Sequence, residues 1–251
     1  MPTDRTRTAL LEQWEELVRG VDALPDAAFG APTRLPGWSG SVLVEHLTSG
    51  PRSVVRALTD PAPTGRPVAV TAYYPQARAA ANDVDARSRA GAAGRTPAEL
   101  RERLASSVAD AERHLDAAPD GAVVATRLGP LTLVDVLATR CVEAVVHGLD
   151  LPVPMPPSAG ALRVTVRLLA RTLAATWPGR SVEVRIPPHV AVQCLAGPRH
   201  TRGTPPNVVE ADPVAFAEVA AGRRAWADAV ADGSIRASGE RSDLRDLLPV
   251  L

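Results

Sequence analysis

The chain has no lysine. All 28 of its basic residues are arginine, and they are matched by 28 acidic residues for a formal net charge of zero. That balance gives no reason to expect nucleic acid or an anionic membrane surface as a general partner. With Ala, Pro, Gly and Val abundant, the missing lysine fits the codon bias of a GC-rich genome, so arginine is simply the default cation. Cysteine is almost as scarce. Cys141 and Cys194 are the only two and form no CxxC pair, which argues against a disulfide framework and fits a reducing compartment. Aromatic residues make up 3% of the chain, too few to reveal the character of a ligand pocket. No run approaches the roughly 18–20 uninterrupted apolar residues of a membrane span. The opening MPTDRTRTALLEQWEELV passes straight into an amphipathic pattern with no signal-type apolar run. The expectation is a soluble, cytoplasmic protein with no membrane insertion.

What is present suits a folded chain: 45% hydrophobic residues in 251, enough for one large domain or two of ordinary size. Leu10, Leu11, Trp14, Leu17, Val18 and Val21 recur at helical spacing over residues 5–21. APTRLPGWSGS is a loop of helix breakers, after which Ser39 or Ser41 can cap the helix beginning VLVEHLTSG. Residues 72–90 and 97–117 both read as helices, the second with a stripe of Leu100, Leu104, Val108, Ala111 and Leu115. GAVVATRLGP has some strand character, and a Thr132/Asp135 capping box opens a long helix ending near Gly148. Together the long helices of residues 1–150 predict an antiparallel four-helix bundle, whose core is a usual place for a metal site. LPVPMPPSAG, with four prolines in ten residues, reads as a linker. Beyond it come a helix, strands at SVEVRI, AVQCL and NVVEAD, two helices broken near Gly222, a last strand at SIRASGE and a closing helix DLRDLLPVL. The fold class is therefore α+β, divided into a helical domain over 1–151 and a small α+β domain over 160–251.

One stretch stands out for its chemistry. In RCVEAVVHGLD, Glu143 and His147 sit four residues apart on an otherwise apolar helix, one above the other on the same face. They either satisfy each other as a buried polar pair or both point at a third group, most plausibly a metal ion. His46, on the helix after the PGW loop, shares a face with Val42 and Ser49. Opposite Glu143 and His147 it would complete two imidazoles and a carboxylate with coordination positions left open, as in a catalytic zinc site. Alternatively His46 is a hydrogen-bonded core histidine, and composition does not choose between the two.

LPGWSGSVLVEHL followed later by EAVVHGLDL resembles the paired signature of mycothiol-dependent maleylpyruvate isomerase-like proteins, whose N-terminal domain is a DinB-like four-helix bundle. The resemblance implies that His46, Glu143 and His147 hold a divalent metal, usually zinc, and that mycothiol is the thiol cofactor or cosubstrate. The C-terminal part, with AGRRAWADAVADGSIRASGERSDLRDLLPVL, resembles the bacterial sterol-carrier (SCP-2-like) domain. That name describes a fold and does not make a sterol the ligand.

The chemistry expected from this is thiol chemistry. Neither His46 nor His147 is followed by a glutamate as the first histidine of HExxH is, which argues against metalloprotease-type hydrolysis. A thiol next to a cation needs no such base. The expected activity is a metal-dependent thiol transferase or maleylpyruvate isomerase-like reaction on a small-molecule electrophile. A non-enzymatic carrier of an apolar ligand with a structural metal is the alternative, and a metal- or redox-sensing regulator is a third. Arg78 and Arg223 are candidates for holding an anionic substrate or the cofactor's carboxylate. Arg199, His200 and Arg202 cluster in one loop as an anion site or a solvated patch, Asp150 caps locally or bonds to His147, and His114 and His189 are given no role. The expected assembly is a monomer or a homodimer.

Overall fold

A computed structural model describes residues 3–119, 121–127, 129–198 and 206–251. The chain divides into two compact units, Met1–Ala161 and Leu162–Leu251.

In the first unit α1 (Thr3–Asp22) buries Leu10, Trp14, Leu17 and Val21, the apolar positions that recur every three or four residues. A short α2 (Asp26–Gly30) precedes α3 (Gly40–Thr59), which is capped by Ser39 accepting from the Val42 amide. Gly40 lets these two helices meet closely, since a Cβ there would lie 2.3 Å from the Ala28 carbonyl oxygen. The next stretch holds α4 (Tyr73–Ala79) and α5 (Ala81–Ala92). Then come α6 (Pro97–Asp116), the hairpin β1 (Val123–Thr126) and β2 (Gly129–Thr132), and α7 (Leu133–Asp150). Thr96 and Glu99 form a full capping box at the start of α6, and Thr132 caps α7. All five residues of the α6 stripe are buried. Burying a leucine of this kind stabilises the fold by roughly 1.5–3 kcal/mol. Helices α1 and α3 each pack against both α6 and α7, which closes a four-helix bundle.

The single helix expected over 72–90 is two helices that part at Ala80. The segment lacks a continuous apolar stripe: among its described side chains only Tyr74 and Ser88 are buried before residue 90, so no one face holds it straight. This matters because α5 packs on α3 directly over the part that carries His46.

In the second unit α8 (Ala159–Thr176) leads into a four-stranded sheet. Its strands are β3 (Val182–Ile186), β4 (Val190–Cys194), β5 (Val208–Ala211) and, after α9 (Pro213–Ala220) and α10 (Trp226–Ala231), β6 (Ile235–Ser238). The order is β4-β3-β5-β6, with β3 and β5 parallel and the other pairs antiparallel. Val182, Val184 and Ile186 alternate inward along β3. The closing helix expected at DLRDLLPVL is only a 3-10 turn over Arg245–Leu247. Asp243 accepts from the Arg245 amide, and Pro249 cannot donate the amide a longer helix would need. The chain thus has the α+β class that its sequence predicts, helical first and with a small sheet after it.

Candidate functional site

His46 lies on α3 and is 9% exposed. Three things enclose its ring. Trp38, in the loop before α3, meets it edge-on with centroids 5.3 Å apart. The His147 ring on α7 stands at 89° with centroids 4.8 Å apart. Ser88 on α5 places its hydroxyl 3.3 Å from His46 Nδ1. The loop carrying Trp38 is tied at both ends of this arrangement: Arg34 N donates to the Asp150 carbonyl, and Trp38 Nε1 donates to Asp85 on α5 at 2.6 Å.

The hydrogen bonds decide which nitrogen of each imidazole faces the site. Ser88 Oγ already donates to the Val84 carbonyl at 2.8 Å, so it accepts from His46 Nδ1–H and the lone pair of His46 is on Nε2. His147 Nδ1 stands 3.0 Å from Oδ2 of Asp150, which is fully buried, so Nδ1–H donates to that carboxylate and Nε2 is the nitrogen turned away from it. Asp150 therefore makes the bond to His147 that its spacing allowed.

Glu143 supplies the charge. Its Oε1 stands 3.7 Å from His46 Nε2, and its Oε2 stands 2.5 Å from Arg140 Nη1. Burial pushes against ionisation of Glu143, but Arg140 first, then His46, His147 and a hydrogen bond from Ser49 outweigh it and hold the carboxyl below its ordinary range. Burial, reinforced by His147 and only partly opposed by Glu143, lowers the His46 pKa to about 4. His46 is thus a neutral donor at neutral pH.

Two imidazole nitrogens and one carboxylate oxygen are a donor set suited to zinc or a similar divalent ion. Among the described residues no three His, Cys, Asp or Glu side chains are drawn up as a finished ligand group. The gap is small for the pair whose separation is fixed. Donors about 2.1 Å from a tetrahedral zinc stand about 3.4 Å from each other, against the 3.7 Å between His46 and Glu143. By donor type the three residues suit the ion, and the His46–Glu143 spacing is close to what it requires.

Of the other candidates, Arg78 lies exposed on α4, and Arg223 belongs to the second unit, where its Nη1 donates to the Ala221 carbonyl. The arginines that act electrostatically on His46 are Arg140 and Arg87. Arg199, His200 and Arg202 lie outside the described residues. His114 bonds to the Asp110 carbonyl on its own helix, α6. Cys141 and Cys194 are buried and free, and burial raises both thiols, Cys194 to about 11. The sequence reading missed Arg140, Arg87, Ser88 and Tyr73. Only the three-residue spacing of Arg140 and Glu143 could have pointed to any of them.

Residues 10–152 match the family described as the mycothiol maleylpyruvate isomerase N-terminal domain. The chain belongs to that family. Residues 158–250 match a second family, described as a bacterial sterol-carrier ortholog. Among solved structures, a mycothiol-dependent maleylpyruvate isomerase is similar at 19% identity with a TM-score of 0.66, covering 97% of this chain and 95% of that one. A histidine-to-alanine variant of the same enzyme is similar at 19% identity with a TM-score of 0.65 and the same coverage. At that identity the likeness speaks for the fold. No curated protein matches the chain. His46, Glu143 and His147 all fall inside the segment that matches the isomerase family, and both motifs quoted from the sequence lie within it.

Proposed function

We propose that the protein is a metal-dependent enzyme that uses mycothiol as its thiol and acts as a thiol transferase or as a maleylpyruvate isomerase-like isomerase. The observation that supports this reading is that the Glu143 carboxylate and the His147 ring both stand against His46, with Nδ1 of each imidazole already occupied. Membership of the isomerase family supports the choice of thiol.

His46 and His147 would hold the ion through Nε2 and Glu143 through one carboxylate oxygen. The ion would favour the thiolate over the thiol, whose addition to an electrophilic carbon gives transfer, or addition and elimination isomerisation. The protein's own residues do the rest. Ser88 and Asp150 fix the two imidazole tautomers, and Trp38 covers the His46 ring from the loop side. Residues 146 and 148, beside His147, are Val and Gly, so no carboxylate is stationed there to activate water. Arg87, exposed on α5 and close enough to act on His46, would attract an anionic electrophile. Arg78 and Arg223 are proposed for the same duty on the substrate or cofactor carboxylate.

The test is consumption of mycothiol, or mycothiol-dependent isomerisation, across a panel of electrophiles that includes maleylpyruvate. Turnover by the wild type that disappears in His147→Ala is the expected result. A wild type that turns over nothing in the panel while binding an apolar ligand stoichiometrically would favour a carrier instead. That second reading has its own lead, a cavity of about 310 Å3 in the second unit lined mainly by Val219, Ala225, Trp226, Leu248 and Pro249.

A further inference from the structure

Two of the bundle's arginine–glutamate pairs are built differently. Arg103 grips Glu45 fork to fork, with Nε 2.9 Å from Oε2 and Nη2 2.8 Å from Oε1, so both carboxylate oxygens are used. Arg140 does not treat Glu143 this way. Its Nη1 reaches Oε2 at 2.5 Å and also lies 3.4 Å from Ser53 Oγ. Its Nη2 donates to Tyr73 Oη at 2.6 Å, and its Nε lies 3.4 Å from Thr139 Oγ1. The guanidinium is thus spread over α3, α4 and α7, and it meets Glu143 at Oε2, while Ser49 also hydrogen-bonds that carboxylate. Glu143 Oε1 faces His46 Nε2 at 3.7 Å. Beside it is Gly50, where even a Cβ would sit 3.5 Å from Oε1.

We propose that Arg140 is a positioning residue for Glu143: it anchors one carboxylate oxygen so that the other is presented beside His46 as a metal ligand. The inference rests on the reading of His46, Glu143 and His147 as the ligand set and adds the part that orients it. Arg140 side-chain exposure is 12% and that of Glu143 is 15%, so the pair is largely withdrawn from water and its geometry is set by protein contacts. An arginine is required by this arrangement because a planar fork can meet several acceptors in fixed directions, which an ammonium on a flexible stem cannot. Tyr73 is the outer support. Its hydroxyl holds the far side of the guanidinium, and its ring lies 5.9 Å from the guanidinium carbon.

The test uses cobalt(II) as the probe on the full chain, with affinity measured by chelator competition and coordination by the visible absorption bands. Wild type, Arg140→Met, Arg140→Lys, Tyr73→Phe and Glu143→Gln are compared, with thermal unfolding followed in each. Arg140→Met is expected to bind cobalt about 10–100-fold more weakly, the usual cost of losing an outer-shell partner, and with altered bands. Arg140→Lys should recover part of the loss, and Tyr73→Phe should show a smaller change in the same direction. A purely structural arginine would leave the bands of the folded variants unchanged. Wild-type affinity and wild-type bands in Arg140→Met overturn the proposal, and so does tighter binding, which would make Arg140 a competitor for Glu143. If Arg140→Met does not fold, unchanged affinity and bands in both Arg140→Lys and Tyr73→Phe overturn it. A wild type that binds no cobalt overturns the ligand reading together with the proposal. Loss of binding in Glu143→Gln beside normal binding in Arg140→Met overturns the proposal alone.

Discussion

Asp150 has no exposed surface, and its Oδ2 stands 3.0 Å from Nδ1 of His147, three residues earlier on α7. The carboxylate fixes the imidazole tautomer and makes the opposite nitrogen a better donor. Asp150→Ala should therefore weaken zinc binding by about 10–100-fold. It should also cost about 1–3 kcal/mol of stability, because the imidazole N–H of the part-buried His147 loses its acceptor. Asp150→Asn keeps an acceptor without the charge and should fall between wild type and Asp150→Ala. Chelator competition and thermal unfolding measure the two effects separately.

The ligand trio makes a simple prediction about metal content. His46→Ala, Glu143→Gln and His147→Ala should each lose most of the zinc that purified wild type retains, as read by elemental analysis. His114→Ala is the control, since among the described residues that ring bonds to Asp110 on its own helix, α6. It should retain a full complement, and a loss equal to that in the trio would mean that the effect is general destabilisation.

Neither cysteine takes part in the proposed chemistry. Burial raises both thiols, Cys194 to about 11 and Cys141 further. The native protein should therefore give almost no fast reaction with a thiol reagent at pH 8, and two equivalents once unfolded. A Cys141→Ala/Cys194→Ala variant should keep its mycothiol-dependent turnover. The sign for stability follows from linkage. The folded thiols hold their protons more tightly than the unfolded ones, so their contribution is complete below about pH 8.5. It is lost as pH rises through the folded values.

The Glu45–Arg103 pair separates structural from functional electrostatics. Glu45 is 7% exposed, and a Cβ on Gly91 would lie 2.6 Å from its Oε1, so α5 depends on the position of that carboxylate. Arg103→Met removes the fork-to-fork partner and leaves Glu45 with Arg52, 3.6 Å away, so it should destabilise the protein by about 1–3 kcal/mol. At temperatures where the variant is folded, zinc stoichiometry should match wild type. Calorimetry and elemental analysis on one preparation check both.

The parts of this protein that could be read from its sequence are those set by local periodicity and by the two motifs. Leu100, Leu104, Val108, Ala111 and Leu115 were legible because a helix buries every third or fourth residue, and all five are buried. His46, Glu143 and His147 were legible as a set because two separated motifs agree with one family. The break at Ala80 was not, because residues 72–90 have helix-forming composition but no stripe to show whether one helix or two will pack. Arg87 was not legible as a candidate, because nothing in the sequence shows that its neighbour Ser88 touches His46. Arg140 could not be identified either. An arginine three residues before a glutamate is commonplace on helices, and its partner Tyr73 lies 67 residues away in the chain.

The most direct test of the metal reading is an anomalous difference map at the zinc edge from crystals grown with one equivalent of zinc. The account predicts one strong peak per chain, about 2.0–2.2 Å from Nε2 of His46, Nε2 of His147 and a carboxylate oxygen of Glu143. A peak coordinated by other residues, or no peak at these three in crystals that contain zinc, would contradict it.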